Sequence, residues 1–414
     1  MSEKLAIDGG TPVRTKPFPV TNVGEAVIGE EEKAEVLDVL NACSPFRFYG
    51  PDPQKKADQL EAEFKVMTGK KHALAVTSGT AALKVSLLAA GVGPGDEVIV
   101  PSVTFIATAG VVVACHARPV FAEVGEDFGL DPADVERRIT KRTKAIIPVH
   151  LLGGAVDMDP IVAIGKKHGI VVLEDCAQST GAEYKGKTVG AFGDINAFSM
   201  QFQKVITAGE GGMVVTDDDE LYDRAVRAHD HGNNRWEAGE PEDAFCAEVY
   251  RLNEMSAAFG LAQFRKLSGN LETMRKYNRI VRAEIEKLDG MTIRSLVDPD
   301  GATGQTITVL FETKEVADRF REAYGKEGVP ASSLYGGKLV LENPQIMNQR
   351  MVSKNGPFNS PLYDGPITYR VEDYPQSVEL LSRAAWLWFS PVMGDEECDD
   401  IIKALHKVHA AVIG

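Results

Sequence analysis

The chain has 414 residues, 44% hydrophobic and 25% charged, a size and balance that suit a globular protein with two folding units. Its formal net charge of -15 argues against nucleic acid or an anionic membrane as the main partner, while leaving room for a small anion in a locally positive pocket. The five cysteines (Cys43, Cys115, Cys176, Cys246 and Cys398) are odd in number and lack C-x-x-C spacing, which fits a reduced, cytoplasmic setting and disfavours a zinc site. Met1 to Leu5 form no signal-peptide core, and no run reaches the roughly 18 uninterrupted apolar residues of a membrane span.

Residues 1–24, rich in Gly, Pro and Thr, read as an irregular arm. Glu30–Leu40 has helical periodicity, and Pro45, Gly50, Pro51 and Pro53 then break the chain into a loop. From His72 a strand–helix alternation sets in. His72–Val76, Glu97–Val100, Pro119–Glu123, Ala145–Val149 and Ile170–Glu174 are short apolar runs. Ala81–Ala90, Thr104–Cys115 and Asp159–His168 carry helical patterns between them. Buried strands separated by helices predict a mainly parallel sheet covered on both faces. Gly211–Thr216 reads as a further strand, and Asp219–Ala228 and Glu254–Leu267 as helices. A polar helix, Asn270–Leu288, is expected to lead into a smaller α+β unit. That unit comprises strands Thr292–Arg294 and Thr306–Phe311 and helices Lys314–Glu327 and Glu396–Val412. The expected division is an arm and large domain over residues 1–268 and a small domain over 269–414.

Three segments carry chemistry. Val171 to Gln178 is an apolar strand that ends in Glu174 and Asp175. Ligands of an open parallel sheet collect at carboxyl strand ends, and a carboxylate buried there needs a positive partner. The plain alternative is a helix-capping Asp. Lys204 follows the strand-like Asn196–Met200 and precedes the turn Gly209-Glu210-Gly211-Gly212. Its neighbours Phe202, Val205 and Ile206 are apolar, and desolvation lowers an amine's pKa and favours imine formation. The alternative is a surface lysine. Thr77-Ser78-Gly79-Thr80 opens a helix with free N–H groups and hydroxyls, an arrangement suited to a phosphate or to ordinary capping.

The order of these segments is that of fold-type I enzymes dependent on pyridoxal 5'-phosphate (PLP). Over about residues 25–410 the chain resembles the DegT/DnrJ/EryC1/StrS aminotransferases, most strongly in Thr77–Leu83, Gly93–Thr108, Ile147–Gly153, Glu174–Gln178 and Phe198–Gly212. The resemblance implies an aspartate-aminotransferase-like α/β fold. It implies that Lys204 holds the cofactor and shuttles a proton, and that Asp175 pairs with its pyridine nitrogen. Gln178 would lie near the phenolic oxygen. Ser199, with Ser78, Gly79 and Thr80, would hold the phosphate. Phe105 would stack on the ring, core packing being its other reading. It also implies a homodimer with shared sites. Relatives carry Asn two residues before the pair matching Arg251-Leu252, for a phosphate contact across the dimer. Here that position is Val249.

The expected reaction moves an amino group from glutamate or glutamine to a keto or aldehyde group. The acceptor would be a sugar, sugar acid, cyclitol or nucleotide sugar. The run His229-Asp230-His231-Gly232-Asn233-Asn234-Arg235 lacks a metal-ligand set. With Arg251, its histidines are candidate substrate contacts, a solvated loop being the alternative. The run is similar to the branch making 8-amino-3,8-dideoxy-octulosonate. Two rival functions are a sugar dehydratase of the same family, whose 4-keto-sugar members replace the lysine with histidine, and a PLP-binding regulatory protein with little turnover.

Overall fold

The strands of the first half are short and apolar on both sides, which only a sheet covered on both faces accommodates. The computed structural model describes residues 3–236, 243–351 and 356–414. It places β1 (His72–Val76), β2 (Glu97–Pro101), β3 (Arg118–Ala122), β4 (Thr143–Ile146), β5 (Val171–Asp175), β6 (Ile195–Ser199) and β7 (Gly212–Thr216) in one seven-stranded sheet, ordered β1-β7-β6-β5-β4-β2-β3. β7 runs antiparallel to both neighbours, and the remaining pairs are parallel. Alternation along each strand divides the core. Leu74, Val76, Val98, Val100, Leu173 and Val214 pack with helices α3 (Gly79–Ala89), α4 (Ile106–Ala114) and α6 (Asp219–His229). Ala73, Ala75, Ile99, Val172, Met213 and Val215 pack on the other face, with α2 (Lys56–Thr68), α5 (Met158–His168) and the start of α7 (Glu254–Ile285). α1 (Glu30–Asn41) lies against α7.

Among the helices beyond the sequence reading are α2 and Pro132–Arg138. α2 buries Ala57, Leu60 and Phe64, an apolar stripe that its many charged residues mask. Pro132–Arg138 begins with Asp131 capping the Ala133 amide and Pro132 in the first turn, a start signal the reading passed over. The helices expected at 254–267 and 270–288 are one, the 32-residue α7, because Leu267, Asn270 and Leu271 continue its buried stripe across Ser268 and Gly269.

β8 (Thr292–Ile293), β9 (Thr306–Leu310), β10 (Ala331–Ser332) and β11 (Ala384–Trp388) form an antiparallel sheet ordered β8-β9-β11-β10. The C-terminal half of α7, α8 (Lys314–Lys326) and α9 (Asp395–Val412) cover it through Val281, Ile285, Phe320, Ile401 and Leu405. The intervening segment returns to the first core with Leu334, Val340, Phe358 and Leu381. No helix among the described residues is long and apolar enough to cross a membrane.

The arm is fixed at both ends. Glu327, fully buried, accepts from the Ala6 amide (2.8 Å), the Val13 amide (3.0 Å) and the Lys407 ammonium (2.8 Å). Farther along, the Gly24 amide donates to the carbonyl of Lys204 (2.8 Å). Glu327→Ala leaves the ammonium of Lys407 with the Thr11 carbonyl but without its counter-charge, and frees two amides. It is expected to cost about 3 kcal/mol of unfolding free energy in chemical denaturation and to open the sites at Lys4 and Arg14 to trypsin.

Candidate active site

The site forms where β1, β5 and β6 end at their carboxyl edges. After β1, Ser78 caps α3, its Oγ accepting from the Ala81 amide (3.0 Å). The amides of Gly79 and Thr80 lie in the first turn, where no helical carbonyl reaches them. Together with the helix dipole they make an anion seat. Ser199, at the end of β6, closes the seat's other side. A β-carbon at position 79 would stand 2.5 Å from the Ser199 β-carbon, so glycine is what lets the helix start approach the strand.

The two acids at the end of β5 point to opposite faces and meet opposite fates. Glu174 is fully buried and accepts from His150 Nε2 (2.9 Å) and the amides of Gly190 (2.7 Å), Phe192 (2.6 Å) and Gly193. His150 Nδ1 accepts from the Val156 amide (3.2 Å), which places the ring proton on Nε2. Burial pushes the Glu174 pKa up, but His150 and the loop amides outweigh it and hold the carboxyl below its ordinary range. His150, Glu174 and Cys176 gather their ligand-type atoms within 4.8 Å, yet the ring and carboxylate are engaged in this hydrogen-bond network. Among the described residues, the Asp175 carboxylate receives only the Ala177 amide (3.1 Å) and the Thr108 hydroxyl (3.0 Å). Here burial wins and the pKa is raised, with Ala177, Thr108 and Lys204 opposing.

Lys204 sits in a loop closed by Met200 N–H to Gly211 O (2.8 Å) and Ala208 N–H to Met200 O (2.9 Å). Burial lowers its pKa, and the attraction of Asp175 offsets this only in part. The loop carries the amine into a cavity of about 520 Å³. Ser78, Gly79, Thr80, Phe105, Asp175, Gln178, Ser199 and Lys204 all line that cavity. Asn22 of the arm, Thr108, Gln305, Tyr335 and Trp388 line it as well, and sequence reasoning missed them. Of these, only Thr108 had a local cue, one helical turn after Thr104 and beside Phe105.

His229, His231 and Arg251 line no part of this cavity in their own chain. His229 is fully buried, with Nδ1 bonded to the Val226 carbonyl, and burial pushes its pKa down to about 4. His231 is exposed. Arg251 pairs with Asp230, which also binds Arg235. Val249 is 38% exposed and bridges to Asp230 through the backbone.

An anion seat, a buried acid short of positive charge and an amine whose pKa burial lowers fit a phosphorylated, ring-nitrogen aldehyde better than a metal or a nucleotide. The fold and this arrangement define a fold-type I PLP-dependent aminotransferase. The DegT/DnrJ/EryC1/StrS aminotransferase family model matches residues 27–406, and the chain belongs to that family. It is 33% identical over 391 residues to the spore coat polysaccharide biosynthesis protein SpsC of Bacillus subtilis, covering 92% of this chain and 95% of that protein. It is 33% identical over 430 residues to the L-glutamine:2-deoxy-scyllo-inosose aminotransferase of Micromonospora echinospora, covering 98% of each. The structure of S. venezuelae DesV, in complex with a ketimine intermediate, superposes with a TM-score of 0.78 at 29% identity, covering 92% of this chain and 94% of that one. These relatives do not single out the octulosonate branch.

The raised pKa of Asp175 fixes a sign. The native state holds this proton to higher pH than the unfolded chain, so stability falls as pH rises from the ordinary value of 3.8 to the native one and stays reduced above it. Asp175→Asn removes that cost. The cofactor-free variant is expected to melt above wild type at pH 8, and the gain should shrink as the pH approaches about 4. A variant that melts below wild type at pH 8 contradicts this reading.

Proposed function

We propose that this chain transfers an amino group from glutamine or glutamate to the carbonyl of a sugar or cyclitol, with PLP held by Lys204. The observation that carries the reading is that Lys204 and Asp175 line one cavity together with the anion seat of Ser78, Gly79, Thr80 and Ser199. Bound PLP supplies an electron sink that stabilises negative charge on the substrate carbon.

Asp175 would keep the ring nitrogen protonated, and Phe105 would press on the ring face. Gln178 would contact the phenolic oxygen. Lys204 Nζ, its pKa lowered by burial, is suited to bond the aldehyde carbon. The same atom would hold the proton that moves between substrate and cofactor. The presence of lysine rather than histidine favours transamination over dehydration. Glutamine as donor draws support from the similarity to the L-glutamine:2-deoxy-scyllo-inosose aminotransferase of Micromonospora echinospora.

Purified protein with PLP is expected to develop a visible absorbance band that glutamine or glutamate discharges to the amine form of the cofactor, and a keto-cyclitol such as scyllo-inosose restores it. Lys204→Ala is expected to fold and to lack the band. A band of wild-type strength in that variant would refute the assignment.

The working form we propose is a homodimer. Phe46, Phe48, Tyr49 and Trp236 form one aromatic cluster, with ring centroids 4.6 Å apart for Phe46 and Tyr49 and 5.5 Å for Phe48 and Trp236. Tyr49 is 69% exposed and Trp236 50%. Arg235 and Arg251 stand over Phe48 and Phe46 at 5.4 and 5.3 Å from the ring centroids. Exposed aromatics and arginines of this kind suit a protein interface. His231 and Arg251 would then serve the partner's cavity rather than their own. Sedimentation is expected to give twice the chain mass of 44.8 kDa, and Tyr49→Asp with Trp236→Asp should shift it toward the single chain. A wild-type protein that sediments as one chain at micromolar concentration excludes the dimer.

A further inference from the structure

Gln178 is clamped from two directions. Its main-chain carbonyl accepts from Gln305 Nε2 (2.8 Å) and from the Gly153 amide (3.0 Å). Its carboxamide Nε2 donates to the hydroxyl of Tyr335 at 2.9 Å. Tyr335 comes from the far end of the chain and lines the same cavity, its ring centroid 6.5 Å from that of Phe105.

The backbone that delivers Tyr335 is unusual. Its φ of 49° and ψ of 28° lie in the left-handed region, and Gly336 and Gly337 continue there with φ of 67° and 75°. Glycines adopt that conformation freely, whereas a tyrosine's β-carbon resists it. The segment is held on both sides. Leu334 is buried in the first core, and Trp388 Nε1 donates to Ser332 Oγ at 2.8 Å. A strained side chain fixed by its surroundings and aimed into a cavity is a mark of a functional position.

A carboxamide NH₂ is planar and has two hydrogens. With one of them directed at Tyr335, the direction of the second is set. We infer that Tyr335 is a positioning residue: it holds the Gln178 carboxamide so that its second N–H faces the ring oxygen of the cofactor. The inference rests on the reading that the cavity holds PLP, and it adds a residue that acts through Gln178 rather than on the reacting atoms. The hydroxyl suits this task because burial, with Asp175 nearby, raises its pKa, so it remains a neutral phenol.

An N–H given to the ring oxygen favours its anionic form, and therefore favours release of the proton that the oxygen shares when PLP is bound to the enzyme. Freeing the carboxamide moves the titration of the visible band to higher pH. The test is a pH titration of that band in the PLP-loaded wild type, Tyr335→Phe, Gln178→Ala and the double variant, with PLP affinity measured alongside. Tyr335→Phe is expected to raise the midpoint by about half a pH unit or more and to weaken PLP binding severalfold. Gln178→Ala should do at least as much, and the double variant should match Gln178→Ala alone, since the two groups act as one unit.

Tyr335→Gly, which the left-handed backbone accepts, should reproduce the shift and so separate it from any fault in folding. A wild-type midpoint in Tyr335→Phe overturns the inference, and so do shifts that add in full in the double variant. Absence of any band in the wild type instead sinks the cofactor reading, and this inference with it.

Discussion

Taking an acid and an amine out of water together is tolerable only when each offsets the other or something else completes them. In this chain the offset is incomplete. The Asp175 carboxylate has two hydrogen-bond donors and the attraction of Lys204, and its pKa still rises. Lys204 has Asp175, and its pKa still falls. The protein is thus built around two groups left short of compensation in one cavity, and the architecture around them keeps the shortfall in place. A cationic ring and an electrophilic carbon would relieve both at once. The order of the large sheet follows from the same need, since β5 and β6 are neighbours and their carboxyl ends bring Asp175 and Ser199 to one edge.

Glu174 makes clear how deliberate the shortfall at Asp175 is. The two residues are adjacent, and both are buried. Glu174 takes four donors and stays ionised, tying the loop 190–193 and His150 to the strand. Alternation along β5 is what allows the difference, because successive side chains point to opposite faces. One carboxylate fixes the strand end, and that rigidity allows the other to be held where its charge is costly. The arm adds a second restraint: Gly24 binds the carbonyl of Lys204, while Glu327, just after α8, anchors the arm's beginning.

The sequence made the chemical centre readable because that chemistry demands scarce residue types in special places. An acid at the end of an apolar strand, a lysine between apolar neighbours and a run of small hydroxyl residues at a helix start each break the local pattern. The walls that complete the cavity break no pattern. Ala384–Trp388 is a continuous apolar run, which periodicity alone does not assign to strand or helix. Tyr335 and Gln305 look like ordinary residues until the second sheet packs onto the first. Asn22 belongs to an arm whose irregularity conceals its anchors. In α7 the two expected helices are one because the buried stripe continues from Leu267 to Asn270 and Leu271 across the exposed Ser268 and Gly269.

The strained positions at the cavity explain why the second sheet belongs to the site. Leu152, like Tyr335, lies on the cavity wall with a left-handed backbone, at φ 51°. Its carbonyl accepts from the Thr306 hydroxyl (2.9 Å), and the carbonyl of Gly153 accepts from the Thr303 amide (2.9 Å). Gln305 reaches Gln178 from the same short stretch. Residues 303–306 lead into β9, so an inner strand of the second sheet also clips the loops that carry the cavity wall. A backbone conformation that is unfavourable in isolation persists only where its neighbours over-determine it. Here those neighbours come from far along the chain. The site's geometry is therefore assembled only when the two sheets meet, and a change at their junction should reach Gln178 before it reaches Lys204.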